Sequence, residues 1–167
     1  MPADSRRGSP RPPKTLKARA IALLARREYS RAELRERLLA GAGRADPGAI
    51  DVDALLDELA ALGYLSDARF AKSVVRQKTG GYSKRAIGAT LKARGVGGDA
   101  AAAALAGVEI DDQDALVALW RRRFGKPPAD DREKARQLRF LQSRGFSLSA
   151  ILKLLRSPPG AGEDENA

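Results

Sequence analysis

The same helix-start signal occurs twice in the 167-residue chain, 53 positions apart. An aromatic residue, a serine and a basic residue stand together at Tyr29-Ser30-Arg31 and again at Tyr82-Ser83-Lys84. Serine at a helix N-terminus accepts a hydrogen bond from an unpaired backbone amide, and residues four apart lie on one helix face. The chain therefore repeats a helical unit that buries the same stripe each time. The apolar residues four and eight positions after each serine are Leu34 and Leu38, and Ile87 and Leu91.

A second recurring element, a basic residue followed by glycine and an apolar residue, indicates a third unit. It occurs as Arg94-Gly95-Val96 and as Arg144-Gly145-Phe146. Glycine commonly ends a helix because it adopts the left-handed conformation without steric cost. When the two glycines are aligned, Leu141 falls at the position of Leu91, whereas Gln137 stands in place of an isoleucine. The third unit is therefore expected to have diverged from the others.

The apolar residues have helical spacing throughout the chain. No segment alternates polar and apolar residues for long, and β-branched residues rarely stand together. We expect an all-α fold of three tandem three-helix units that form an elongated, curved array with disordered tails. The predicted helices cover residues 15–28, 31–40, 52–62, 67–79, 84–94, 99–106, 112–124, 131–144 and 148–155.

Changes in composition mark the boundaries of the units. The first and last segments are rich in proline and charge and contain too few apolar residues to bury a core. An insertion rich in Gly, Pro and Asp at 41–51 predicts a flexible surface turn. The expected segments are a disordered basic leader (1–14), a first repeat (15–65), a second and most basic repeat (66–107), a third repeat (108–156) and a disordered acidic tail (157–167).

The junction between the first two repeats is the segment LGYLSDARFA, from Leu62 to Ala71. Gly63 is expected to end one helix in the left-handed conformation. Tyr64 and Leu65 are expected to pack apolar bulk beneath that helix end. A capping serine and a first-turn acid, which the helix dipole favours, are expected to start the next helix: Ser66 and Asp67.

The residue types exclude several classes of chemistry. The chain has no cysteine and no histidine, which excludes disulfides, thiolate nucleophiles, the usual zinc sites and a histidine base. Gly125-Lys126 is followed by two prolines instead of a P-loop sequence, so we predict no nucleotide site and no cofactor. The leader lacks the apolar core of a signal peptide, and the most apolar run, 100–108, is too short to span a bilayer. We expect a soluble, cytoplasmic protein.

Two clusters of carboxylates could in principle bind magnesium. They are Asp111-Asp112-Asp114 and Asp130-Asp131-Glu133. Grouped oxygen ligands suit two-metal hydrolysis. However, each cluster directly precedes a helical apolar pattern, where acidic residues cap free amides. We therefore predict helix caps and no metal site, and a metal-dependent nuclease is the third functional alternative.

The net charge of +10 is concentrated in residues 66–98, which carry eight basic residues and one acidic residue. So uneven a segment favours contact with a polyanion or an acidic protein over a merely solvated face. Arg69, Lys72 and Arg76 are spaced three and four apart, which predicts a basic ridge on one helix face. Tyr82 lies beside these cations on a segment expected to be accessible. The candidate contact residues are Arg69, Lys72, Arg76, Lys78, Lys84, Arg85, Lys92 and Arg94, with a weaker cluster at Arg121, Arg122 and Arg123.

Four sequence elements together resemble the bacterial RecX family. They are LGYLSDARFA at 62–71, Val75-Arg76, Trp120-Arg121-Arg122 and FLQSRGFS at 140–147. The resemblance covers roughly residues 16–156. It implies three tandem three-helix units without enzymatic activity. It also implies binding to the RecA recombinase and to the RecA filament on single-stranded DNA, and inhibition of filament extension and of RecA activities.

Two functional interpretations from different classes follow. In the first, the chain is a monomer that regulates RecA, modulates recombinational DNA repair and the SOS response, and binds DNA weakly and without sequence specificity. In the alternative, it is a stand-alone DNA-binding module of the helix-turn-helix type, since short three-helix units have that general shape. Neither interpretation involves a membrane.

Overall fold

The computed structural model describes residues 15–41 and 51–159. Within these ranges the chain forms nine α-helices and no strand, so the all-α prediction is confirmed. The predicted leader (1–14), most of the predicted insertion (42–50) and the end of the predicted tail (160–167) lie outside the described residues. The helices are α1 Leu16–Leu24, α2 Arg31–Gly41, α3 Val52–Ala61, α4 Asp67–Lys78, α5 Lys84–Ala93, α6 Gly98–Ala106, α7 Asp112–Arg123, α8 Asp131–Ser143 and α9 Leu148–Arg156.

The first helix ends four residues earlier than predicted. The segment after Leu24 contains good helix formers, which is why the sequence predicted a helix to residue 28. The amide of Arg26 instead donates to the carbonyl of Leu23 at 3.0 Å, a tighter turn than an α-helix makes. The chain leaves the helix there and brings Tyr29 into the core, with the guanidinium of Arg27 3.7 Å from the ring centroid. Burial of the tyrosine outweighs local helix propensity.

Buried apolar side chains form three clusters among the described residues, one for each group of three helices. The chain divides into two compact units, of which the first ends at Asp67 and the second begins at Ala68. The first unit holds the core of α1–α3, and the second unit holds the cores of α4–α6 and α7–α9. The residue numbers given above for the repeat boundaries stay a prediction.

The end of α3 differs from the prediction in one side chain. Gly63 has φ of +78°, as expected for a glycine that ends a helix. The amides of Tyr64 and Leu65 both donate to the carbonyl of Leu59, at 2.9 and 3.2 Å. Leu65 is buried, but Tyr64 is half exposed, so the prediction that both pack beneath the helix end was wrong for Tyr64. The turn points the two successive side chains in different directions, and only one reaches the core.

Carboxylates that are distant in sequence complete the N-termini of the second helices. In the first unit, Asp67 accepts a hydrogen bond from the amide of Arg31 at 2.7 Å. In the second unit, Asp112 accepts one from the amide of Lys84 at the same distance. The serines predicted as caps also accept: Ser30 from Glu33 at 3.0 Å, and Ser83 from Ala86 at 3.2 Å. Each of these helix starts therefore has both a local and a remote acceptor.

Within the second unit, the end of α8 docks on the start of α5. The amide of Ser83 donates to the carbonyl of Arg144 at 3.0 Å, and its hydroxyl donates to the carbonyl of Gly145 at 2.9 Å. Gly145 has φ of +89°, and a Cβ there would lie 2.5 Å from the Cβ of Ala86. Only glycine allows this close approach between the two helix groups.

A buried glutamine explains why the third repeat departs from the apolar pattern. Gln137 is 3% exposed, although it stands in place of an isoleucine. Its side-chain oxygen accepts from the indole nitrogen of Trp120 at 2.8 Å, and its amide nitrogen donates to the carbonyl of Lys126 at 3.2 Å. The glutamine thus satisfies two polar groups that an isoleucine would leave unpaired.

Replacing Gly145 with alanine should destabilise the second unit much more than replacing Gly80 with alanine. Both glycines have positive φ, so each substitution costs about 1–2 kcal/mol in backbone strain. Only Gly145→Ala adds a clash, which should cost a further 1–3 kcal/mol or so, because no atom lies within 4 Å of a Cβ at Gly80. Urea unfolding followed by the fluorescence of Trp120, the sole tryptophan, measures both. Equal losses would contradict the close approach.

Replacing Gln137 with leucine should cost about 1–3 kcal/mol of unfolding free energy, because the indole nitrogen of Trp120 is left buried without a partner. In a Trp120→Phe background the same substitution should cost at least ~1 kcal/mol less, since the unpaired donor is gone. Thermal or urea unfolding followed by circular dichroism gives the double-mutant cycle. Strict additivity of the two changes would show that the hydrogen bond does not stabilise the core.

Candidate nucleic-acid interface

The eleven candidate basic residues all belong to the second compact unit. Their side chains are exposed, apart from Lys78 and Arg94, which are partly buried. Helix α4 and the N-terminal and C-terminal ends of α5 carry eight of them, and the last turn of α7 carries the other three. Those on α4 are Arg69, Lys72, Arg76 and Lys78; those on or just after α5 are Lys84, Arg85, Lys92 and Arg94; those on α7 are Arg121, Arg122 and Arg123.

Helix α4 presents the predicted basic ridge at the surface. Arg69, Lys72 and Arg76 are exposed. The helix buries its opposite face in the core through Phe70 and Val74, together with their neighbours. Because residues three and four apart share a helix face, one apolar stripe and one basic stripe run along the same 12 residues. The core thus orients the ridge.

An open depression of about 600 Å³ lies beside the ridge. Its lining comes from Lys72 and Arg76 of α4, from Thr79 just after that helix, and from Ala104, Gly107 and Val108 in and after α6. Val108 is 36% exposed, a large value for an apolar side chain. Cations therefore border an apolar floor, a combination that suits an acidic segment with an apolar side chain.

Other candidate residues are tied to the fold. The guanidinium of Arg94 lies 5.9 Å from the ring centroid of Phe70, and that of Arg85 donates to the carbonyl of Gly145 at 3.4 Å. Arg122 donates to the carbonyl of Gly80 at 3.5 Å. The last contact brings the basic end of α7 next to the turn between α4 and α5, so two clusters that are separate in sequence meet at this turn.

Arg144 is the basic residue that sequence reasoning missed. Its guanidinium lies 4.7 Å from the ring centroid of Tyr82 and 4.9 Å from that of Phe140. The ammonium of Lys78 lies 3.9 Å from the Tyr82 centroid. The available signal was the recurring basic-Gly-apolar element, which indicated only a helix end. Its basic residue also places a cation between two aromatic rings.

Several ion pairs neutralise charge in the first unit. Among the described residues, that unit pairs Arg35 with Asp53 and Arg31 with Asp57, besides three further pairs. A hydrogen bond from Arg35 holds the pKa of the Asp53 carboxyl below its usual range. In the described ranges of the second unit, Arg136 pairs with Glu133. Lys72 and Arg76 have no carboxylate at ion-pair distance among the described residues, so their charges remain available to a partner.

The carboxylate clusters cap helices, as the sequence predicted. Asp111 accepts from the amides of Gln113 and Asp114 at 2.7 and 2.9 Å. Asp130 accepts from the amide of Glu133 at 2.7 Å, and Glu133 accepts in turn from Ala129 at 2.9 Å. In the part of the chain that the structure describes, no group of three acidic side chains is arranged to hold a metal ion. Asp111, Asp130 and Glu133 thus have partners that account for their positions.

Comparisons with known proteins identify the relatives of the chain. A family model described as the second three-helix domain of RecX matches residues 66–105, and one described as the third three-helix domain matches 109–155. The regulatory protein RecX of Leptothrix cholodnii is 45% identical over 89% of this chain and 92% of its own length. That of Ralstonia nicotianae is 40% identical over 93% and 95%.

A solved structure has the same fold. The crystal structure of RecX from Lactobacillus salivarius superimposes with a TM-score of 0.62 at 19% identity, over 84% of this chain and 94% of that one. At this identity the likeness concerns the fold alone. None of the helices in the described ranges is both long and apolar enough to cross a membrane.

Replacing Asp112 with alanine should destabilise the second unit by about 0.5–2 kcal/mol, because the amide of Lys84 loses its acceptor. Asp114→Ala is the matched control: it removes the same charge from the same helix turn, but its carboxylate is not the acceptor at α5. Unfolding of both variants should be measured with and without magnesium. Magnesium-dependent stability of the parent that Asp112→Ala abolishes would contradict the capping role.

Proposed function

The chain belongs to the RecX family, and on that premise we propose that it binds RecA and RecA filaments on DNA and inhibits filament extension. Through that inhibition it modulates recombinational DNA repair and the SOS response. The relatives carry the name of regulatory proteins, and no enzymatic role is part of the proposal. The proposed location is the cytoplasm, and the proposed state of the free protein is a monomer.

The observation that carries the proposal is the unbalanced charge of the second repeat. Residues 66–98 hold eight basic residues against the single acid Asp67, whose carboxylate is already used by the amide of Arg31. Within the described ranges, neither Lys72 nor Arg76 has a carboxylate at ion-pair distance. At these two residues, a partner that supplies negative charge therefore gains attraction without first displacing an internal ion pair.

The repeated architecture supports a multivalent mechanism. A filament offers the same surface on each successive RecA subunit, and tandem repeats offer several similar surfaces in a row. When one repeat is bound, the next contact becomes intramolecular, so weak contacts add through effective concentration. A regulator held in this way across neighbouring subunits would block the addition of the next subunit or hasten the loss of the last.

The depression between α4 and α6 is the proposed protein contact. Lys72 and Arg76 border its apolar floor, so it fits an acidic segment that carries an apolar side chain better than it fits the uniformly charged DNA backbone. DNA is proposed to contribute a second, weaker and salt-dependent contact. The alternative, a sequence-reading module, would need no RecA and would prefer one operator strongly over random DNA.

The charge-reversing double variant Arg76→Glu with Lys92→Glu should weaken inhibition of RecA filament extension by tenfold or more. The reason is that attraction between these cations and an acidic partner becomes repulsion. The control is Arg132→Glu with Arg139→Glu, which changes the net charge equally at exposed positions of α8. Filament extension on single-stranded DNA, followed across a salt series, measures both.

Undiminished inhibition by the Arg76 and Lys92 variant would rule out the basic ridge as the contact. Retention of the unmodified protein on RecA should be tested with and without single-stranded DNA and nucleotide. If the protein is retained on one DNA operator and never on RecA, the alternative function is correct.

A further inference from the structure

Five side chains of the second unit alternate between cations and aromatic rings, and we refer to them as the cation–aromatic stripe. Lys78 and Tyr82 come from the second repeat, and Phe140, Arg144 and Arg123 come from the third. The cation-to-centroid distances are 3.9 Å for Lys78 to Tyr82, 4.7 Å for Arg144 to Tyr82, 4.9 Å for Arg144 to Phe140 and 5.6 Å for Arg123 to Phe140. The stripe therefore exists only where the two repeats are docked.

The fold holds the central arginine in place. The backbone carbonyl of Arg144 accepts from the amide of Ser83, the residue that follows Tyr82. The ring of Phe140 is supported in turn by an edge-to-face contact with Phe124, with centroids 5.4 Å apart. Cations held over rings lose less conformational freedom when a ligand binds than unrestrained lysines do. The stripe is thus preorganised for an anionic ligand.

The rings of the stripe also differ from the core aromatics of the same unit. Phe70, Trp120 and Phe146 are each no more than 5% exposed, whereas Tyr82 and Phe140 keep a partly exposed surface. Partly exposed rings next to cations are the elements with which proteins hold unpaired bases: rings stack on bases while cations follow the phosphates.

The surroundings of the stripe are positively charged. Arg122 lies alongside, with its guanidinium donating to the carbonyl of Gly80. Across the described part of the chain, neither Lys78 nor Arg144 has a carboxylate within ion-pair distance. Two acids of the third repeat, Asp111 and Asp130, accept from amides at helix starts. An acidic peptide would match this charge, but it would not use the partly exposed rings as bases would.

We propose that the cation–aromatic stripe is a binding site for single-stranded nucleic acid, with phosphates on Lys78, Arg144 and Arg123 and bases against Tyr82 and Phe140. The proposal rests on the proposed function, since it names the DNA contact of a regulator that acts on single-stranded filaments. Single strands suit the site better than duplexes because their bases are free to reach the rings and their backbone adapts to fixed cations. This contact is separate from the protein contact at the α4–α6 depression.

The test uses the full chain and a fluorescent oligothymidylate in anisotropy titrations over a salt series. Lys78→Gln with Arg144→Gln should lower affinity on the order of tenfold and reduce the slope of log affinity against log salt by about 1.4. Arg132→Gln with Arg139→Gln removes the same charge elsewhere on the third repeat and should change affinity less than about threefold. A charge-preserving pair, Lys78→Arg with Arg144→Lys, should retain most of the binding.

A substitution of the Tyr82 ring and thermal unfolding of the variants complete the test. Tyr82→Leu should weaken binding to the single strand more than to a duplex of equal length, because only the bases of a single strand are free to stack on the Tyr82 ring. Thermal unfolding of each variant shows whether a loss of affinity comes from misfolding. If the glutamine variant misfolds, the charge-preserving pair takes its place: retained binding supports the proposal, and lost binding in a folded protein contradicts it. Equal losses from both glutamine pairs, or stronger binding to duplex, would overturn the proposal. Intact stripe binding without any RecA inhibition would refute the proposed function alone.

Discussion

The N-terminus of α5 is the constraint on which the second unit depends. A helix start exposes amides that must find acceptors, and here the acceptors come from three places. Ser83 supplies a local hydroxyl, Asp112 a carboxylate from the start of α7, and Arg144 and Gly145 accept from Ser83 itself. The second and third repeats are therefore joined by hydrogen bonds as well as by apolar contact. This requirement fixes how closely the backbone of Gly145 approaches α5.

The need for acceptors at helix starts also bears on the basic surface of the second unit. Three acids of the third repeat are used at helix starts: Asp111 and Asp130 cap their own helices, and Asp112 caps a remote one. Acids committed to amides lie at helix N-termini and do not reach the exposed cations of α4. Backbone hydrogen bonding and surface charge are thus linked, because carboxylates that complete helix starts are used there and do not pair with the surface cations.

Most of the local structure was predictable from the sequence because it depends on neighbours along the chain. The serine caps, the apolar stripes and the left-handed Gly63 follow from spacing and residue type, and eight of the nine helices within the described ranges end within a residue of the prediction. The errors involve contacts between distant residues. Burial of Tyr29 shortened α1, and Tyr64 turned outward because Leu65 took the core position. The residues next to Tyr29 and Tyr64 in the sequence carry no signal that one tyrosine is buried and the other exposed.

The candidate site was predictable only as a set of charges. Spacing placed Arg69, Lys72 and Arg76 on one face, but it carried no signal that the turn at Tyr82 meets Arg144, 62 positions away. That meeting arises from the docking of two repeats whose separate sequences each indicate only a helix end. In a tandem array the interface between neighbouring repeats creates surfaces that no single repeat contains. Substitutions that loosen the Ser83–Gly145 contact should therefore alter ligand binding even where every basic residue is kept.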